Sequence, residues 1–253
     1  MDWVEGFYSR TGSWWGPAEA RITDRDHRRV RVLHEHAGTA PLRVLELGSG
    51  YGTTAATTAK AGHTVTAIEI TDRAGFADRF DTEVAPGSLT VVKDNFYGVR
   101  LNDSFDVVSY WNGFGVGSDA DQRRLLRRIA SEWLRPDGVA LIDVCNPFVW
   151  ARWHDDLSHR TPDPARGYAH ELYELTTFDP VTNTATDTWW EAAKPDEKIS
   201  QMLRCYSPAD LTLLLEGTGL RLATITIGEE TGAGAAARLL DEHSEYVAVL
   251  RHG

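Results

Sequence analysis

Glu46-Leu47-Gly48-Ser49-Gly50-Tyr51-Gly52 decides the fold of this chain. A short apolar run, Arg43-Val44-Leu45-Glu46-Leu47, leads into it and reads as a buried strand. A small-residue segment, Thr53 to Ala61, follows and is stopped by Gly62, which suits a helix. Glycines between a strand and a helix let the backbone turn sharply and let a ligand approach the main chain. The dinucleotide fingerprint G-x-G-x-x-G would put its third glycine at position 53, which is Thr. The spacing here is G-x-G-x-G. Glu46 adds a carboxylate where a pyrophosphate would sit, so a phosphate-free cofactor carrying a cation is the better match.

The alternation continues outward from this loop. Thr64 to Ile70, Leu89 to Lys93, Phe105 to Trp111 and Val139 to Val144 read as further strands, and Asp72 to Phe80 as a short helix. The clearest helix opens at Ser118, with Asp121 three residues on in capping-box spacing. Leu125, Ile129 and Trp133 recur on one face, and Pro136-Asp137-Gly138 reads as the turn that stops it. Strands alternating with helices predict βαβ units and a parallel sheet covered on both faces. Ahead of them, residues 1–40 read as helical, with a charged stretch from Asp24 to Leu33 suited to a surface helix or lid. After Asn146 the texture changes. Tyr168 to Leu175, a turn at Asp179-Pro180, and Thr184 to Trp190 predict two or three antiparallel strands inserted into the α/β unit. Ser207-Pro208 opens one more helix, and 220–227 and 246–250 are the last strands. Residues 228–240 between them are open to a loop or a short helix.

Two acids stand at the ends of successive strands. Glu69 lies 19 residues after Gly50, where a carboxylate can accept hydrogen bonds from ribose hydroxyls. Asp94-Asn95-Phe96 ends the third strand, an acid and an amide beside an aromatic ring, a set suited to reading and stacking a purine. Glu46 to Gly52 resembles motif I, E/D-x-G-x-G-x-G, of the class I S-adenosylmethionine-dependent methyltransferases. Glu69 resembles that family's ribose-binding acid and Asp94 its adenine-contacting acid. The resemblance covers about residues 42–147 and the helix and two strands after 207. It implies a Rossmann-like α/β fold: a seven-stranded methyltransferase sheet with helices on both faces, its last strand antiparallel beside the fifth. The chain then divides into a lid (1–40), a cofactor-binding α/β domain (41–147 and 207–253) and an inserted β subdomain on the substrate side (148–206). It implies S-adenosyl-L-methionine as cofactor, held by Glu46, Gly48, Ser49, Gly50, Glu69, Ile70, Asp94, Asn95, Phe96 and Trp111. The lid and insertion also resemble small-molecule methyltransferases of bacterial secondary metabolism, such as sugar N-methyltransferases.

Charge and composition narrow the acceptor. The 253 residues carry 26 basic and 37 acidic side chains, net −11, which disfavours a nucleic-acid groove. The nucleic-acid N-methylating motif is also missing, since Tyr110-Trp111-Asn112-Gly113 stands in its place. Arginines outnumber lysines by 22 to four, a hint of a GC-rich genome. Cys145 and Cys205 form no CxxC, so no metal site is expected and a reducing, cytoplasmic setting fits. No apolar run is long enough for a membrane span, and no signal peptide is expected. Partners are thus expected to be a small-molecule acceptor, with no nucleic acid and no membrane. Nine tryptophans are the odd feature. Most fall on the lid, the strand ends and the insertion, so they are expected around the site, pointing to an aromatic, apolar or cationic substrate. Trp14, Trp15, His27, Asn112, Phe114, Trp150 and Trp153 are the candidate substrate contacts. Tyr8 in the lid and His154 past the fifth strand are the candidate catalytic groups, and an amine acceptor needs no side-chain base. Two rival readings stand beside this one. One is a methyltransferase fold serving as a non-catalytic cofactor-binding partner, and the other is a nicotinamide-dependent oxidoreductase.

Overall fold

Parallel strands buried on both faces need helices above and below them, and the chain supplies both. The computed structural model describes residues 3–83 and 87–253. Two helices come first, α1 (Trp3–Trp15) and α2 (Asp24–Ala37). The Thr23 N–H donates to Asp26 Oδ2 at 2.7 Å, which starts α2, and Gly38 at φ 87° ends it. Then follow β1 (Arg43–Leu47), α3 (Thr53–Lys60), β2 (Thr64–Glu69), β3 (Ser88–Lys93), β4 (Phe105–Phe114), α4 (Asp119–Arg128) and β5 (Leu134–Cys145). A short α5 (Pro147–Trp150) leads to β6 (Asp156–Arg160), β7 (Leu172–Asp179), β8 (Thr184–Glu191) and β9 (Ile199–Arg204). The chain closes with α6 (Pro208–Leu215), β10 (Leu220–Ile227), β11 (Glu230–Thr231), α7 (Ala233–Leu239) and β12 (Glu245–His252).

The main sheet has eight strands in the order β11-β10-β12-β5-β4-β1-β2-β3. β1 pairs in parallel with β2 and β4, and β12 lies antiparallel between β5 and β10. This is the predicted sheet, with the last strand inserted beside the fifth and the two-residue β11 added at one edge. Alternation along each strand feeds two cores. Leu45, Leu47, Ile68 and Val108 face α4 and α6 through Leu125, Leu126, Ile129, Trp133 and Leu211. Val44, Val65, Ala67 and Val107 face α2 and α3 through Val32, Leu33, Ala55 and Ala59. Each large aliphatic side chain so buried contributes roughly 1.5–3 kcal/mol.

Three local expectations change. The insertion is a four-stranded antiparallel sheet, β6-β7-β8-β9. Asp72–Glu83 is a run of 3-10 turns rather than an α-helix, with the poor helix former Gly75 inside it. Pro136-Asp137-Gly138 does not end a helix. The helix ends in a π turn, Ile129–Trp133, and β5 begins at once at Leu134. Those three residues are a bulge within β5, because pairing passes from Phe105↔Leu134 to Val107↔Val139. Proline has no N–H to give a ladder, so it is accommodated where the strand bows out.

Candidate active site

The glycine loop crosses the carboxyl edge of the sheet between β1 and α3. Gly48, Gly50 and Gly52 have φ of 59°, 56° and 77°, so every second residue needs the left-handed region that glycine tolerates. That is the local reason for the G-x-G-x-G spacing. The Ser49 N–H donates to the Ile68 carbonyl at 3.0 Å, and the Gly50 N–H to Glu69 Oε2 at 2.8 Å. Thr71 holds the other Glu69 oxygen through its N–H (2.9 Å) and hydroxyl (2.7 Å). The loop and the acid that ends β2 are thus one hydrogen-bonded unit.

Above this edge lies a cavity of about 570 Å³. Glu46, Gly48, Ser49, Gly50, Glu69, Ile70, Asn95, Phe96 and Trp111 all line it. A Cβ added at Gly50 would meet no atom within 4 Å, so it would project into open cavity space. Two buried polar atoms there, Glu46 Oε2 and Ser49 Oγ, have no hydrogen-bond partner. Burial pushes the Glu46 carboxyl up to about 8, against the pull of the nearby Arg29 and with the help of Asp26. At neutral pH Glu46 therefore holds a proton in the ligand-free protein. The charge argument against a pyrophosphate lapses with it, and the glycine spacing alone carries that exclusion.

The structure brings some of the other expected residues to the cavity and not others. Tyr8, Trp15 and Asn112 line it. Asn112 sits at φ 64°, a strained position for a non-glycine, and accepts from Arg25 Nη2. Asp94 is exposed, accepts the N–H of Asn95 at 2.6 Å and is not among the lining residues, although Asn95 and Phe96 next to it are. His154 is exposed; its Nδ1 accepts the Phe178 N–H at 3.0 Å. His27 faces solvent on α2. Phe114 is core, its ring tilted at 49° to that of Tyr206. Trp14 is buried against Phe7, Leu172 and Trp189. Trp150 gives its N–H to the Ser244 carbonyl and packs on Trp153. Of the nine tryptophans only Trp15 and Trp111 line the cavity, so the aromatic wall expected around the site is mostly packing.

Arginine and tyrosine take the place of that wall. Arg21, Arg25, Arg29, Arg73 and Arg160 line the cavity together with Tyr8, Tyr51, Tyr97 and Tyr110. Glu19 and Asp26 add negative charge beside them, so the walls are mixed in sign. The Arg73 guanidinium lies 5.0 Å from the Tyr51 ring and 5.7 Å from the Tyr8 ring, and donates to Thr11 Oγ1 at 2.8 Å. Arg29 lies over Trp111 and bonds Asp143 at 3.0 Å. Asp26 accepts from the hydroxyls of Thr53 and Thr54 at 2.8 and 2.7 Å, tying α2 to α3. None of these arginines carries a spacing signal, because they converge from the bend before α2, from α2 itself, from the turns after β2 and from β6.

Comparison with known proteins adds to this geometry. A family model described as a methyltransferase domain matches residues 21–225. No curated protein matches the chain. Among solved structures, the CcbJ methyltransferase from Streptomyces caelestis is similar over 97% of this chain and 96% of its own, at 20% identity and a TM-score of 0.72. The sugar N-methyltransferase KedS8 from Streptoalloteichus covers 99% and 93%, at 16% identity and 0.61. The amino pentose methyltransferase CalS10 from Micromonospora echinaspora, involved in calicheamicin biosynthesis, covers 99% and 97%, at 15% and 0.57. At these identities the likeness is one of fold.

Proposed function

The chain belongs to the methyltransferase-domain family, and from that premise we propose that it methylates the nitrogen of a small-molecule amine, an intermediate of natural-product type. S-adenosyl-L-methionine supplies a methyl group on a sulfonium, a good leaving group. The residues present fit this cofactor. Glu69 offers its carboxylate to ribose hydroxyls, the Gly48–Gly52 loop leaves open space at Gly50, and the unpartnered Glu46 Oε2 and Ser49 Oγ await polar groups. Ile70, Asn95 and Phe96 supply an apolar and amide surface for a purine.

The nature of the proton acceptors in the cavity carries the amine reading. No histidine lines the cavity among the described residues. Its four tyrosines are phenols pushed up by burial, so none is a base near neutral pH. Of the cavity's carboxyls, Glu69 accepts from Gly50 and Thr71, Asp26 from Thr53 and Thr54, and Glu19 from the Tyr168 hydroxyl, while Glu46, pushed up to about 8 by burial, already carries a proton in the ligand-free cavity. An alcohol or phenol needs a base to become a nucleophile, whereas a neutral amine attacks through its lone pair and loses a proton to water afterwards. Catalysis is then positioning of the amine in line with the methyl carbon. The similar structures named as sugar and amino pentose methyltransferases agree with this reading.

The test is transfer of a labelled methyl group to paired small acceptors, amines against matched alcohols and phenols, alongside binding of S-adenosylhomocysteine. Amines are expected to be methylated and the oxygen analogues not. Methylation of the alcohols or phenols alone overturns the amine reading, and binding without any turnover favours a non-catalytic role. Gly50→Val should lose S-adenosylhomocysteine binding while remaining folded by circular dichroism.

A further inference from the structure

Asp187, on β8, is a buried carboxyl in the insertion that the reaction above leaves unused. Its neighbours fix a direction of hydrogen bonding. Thr176 Oγ1 donates to Asp187 Oδ1 at 2.9 Å, and Gln201 Nε2 donates to Asp187 Oδ2 at 3.1 Å. The Gln201 amide oxygen is thereby turned the other way, and it accepts from the Tyr8 hydroxyl at 3.1 Å. Reversing that amide would set its oxygen against a carboxylate oxygen, so the orientation follows from the chemistry of the partners. The consequence reaches the cavity. The one hydrogen of the Tyr8 phenol is spent on Gln201, and its oxygen keeps lone pairs for whatever meets it on the cavity side.

We infer that Gln201 and Asp187 are positioning residues that hold Tyr8 as a hydrogen-bond acceptor and so select a methyl acceptor that presents an N–H. This inference rests on the amine reading above and deepens it. Tyr8 sits on α1, while Gln201 and Asp187 sit on β9 and β8, so the selection joins the lid to the insertion. The phenol is the right group for the task. Its own proton is held by burial, which the nearby Arg73 only partly opposes, so it orients a nitrogen without taking its proton.

The experiment measures binding of two probes of similar shape, cyclohexylamine as N–H donor and methoxycyclohexane as acceptor only, with and without saturating S-adenosylhomocysteine. The proteins are wild type, Tyr8→Phe, Asp187→Asn, Gln201→Leu and the double variant Tyr8→Phe/Asp187→Asn. The wild type should prefer cyclohexylamine. Each single variant should weaken it by about tenfold, the worth of one hydrogen bond, and leave methoxycyclohexane no weaker. The double variant should lose no more than Tyr8→Phe, because all three residues act through one oxygen. Additive losses, or a wild type without preference for the amine, overturn the inference. Gln201→Leu keeps it testable should Asp187→Asn fail to fold. Failure of S-adenosylhomocysteine to bind the wild type would sink the methyl-transfer reading separately, since probe preference is read in its absence too.

Discussion

Glu46 illustrates what a single buried residue sets. It is 2% exposed, one carboxyl oxygen has no partner, and burial pushes it up to about 8. The folded protein keeps that proton up to about pH 8, while the unfolded chain releases it near the ordinary carboxylate value of about 4.3. Across this window the folded state binds more protons, so the group's contribution to stability falls as pH rises and levels off above about 8. Thermal unfolding of the ligand-free protein should therefore show a midpoint that drops from about pH 5 to about pH 8, with a shallower drop in Glu46→Gln. Parallel curves for the two proteins would show that Glu46 titrates normally. The role of Gly48, Gly50 and Gly52 was legible because a positive φ at alternate positions is a backbone demand that only glycine meets freely. Tyr51 and Arg73 were not, since their place at the cavity depends on α1 coming down upon them.

Elements follow from local chemistry wherever their ends are capped. Ser118 Oγ accepts the Asp121 N–H at 3.2 Å, and Asp121 Oδ2 accepts the Ser118 N–H at 2.9 Å, as the spacing predicted for the start of α4. Ser207 and Asp210 make the same box at the start of α6. Ser118→Ala should cost about 1 kcal/mol, read as a lower urea midpoint at unchanged slope. An unchanged midpoint would mean α4 is held by packing alone. Element ends set by tertiary pairing were harder to read. Pro136-Asp137-Gly138 has turn chemistry, yet it forms a bulge within β5 and not a helix stop, because pairing with β4 on both sides of it, at Leu134 and from Val139, keeps the chain in the sheet. Alternation was informative where one face is buried: Trp189 is core and Trp190 stacks outside on Tyr173.

At the scale of the whole molecule, α1 is clamped between two sheets. Towards the insertion, Glu191 accepts from Trp14 Nε1 and Arg10 Nη2, both at 2.9 Å, and pairs with His170 at 3.1 Å. Towards the main sheet, Arg73 reaches Thr11, and the Tyr51 hydroxyl donates to the Gly12 carbonyl at 3.3 Å. Glu191→Ala strands a buried indole N–H, at a cost of about 1–3 kcal/mol. Limited proteolysis should then cut within α1 faster than in the wild type, leaving the rest of the chain intact. Equal cleavage rates would mean that Glu191 does not hold α1. No helix among the described residues is long and apolar enough to cross a membrane. The sequence by itself determined the alternating α/β strands and helices, the glycine loop and the acid Glu69 that ends β2. Each depends on contacts short in sequence or on a repeating period, so a local pattern records it. Only the tertiary structure decided which tryptophans are packing, that five arginines and four tyrosines wall the cavity, and that Tyr8 meets Gln201 and Asp187. Those residues lie up to 193 positions apart, and nothing in the spacing of a chain reports which distant side chains will share one space.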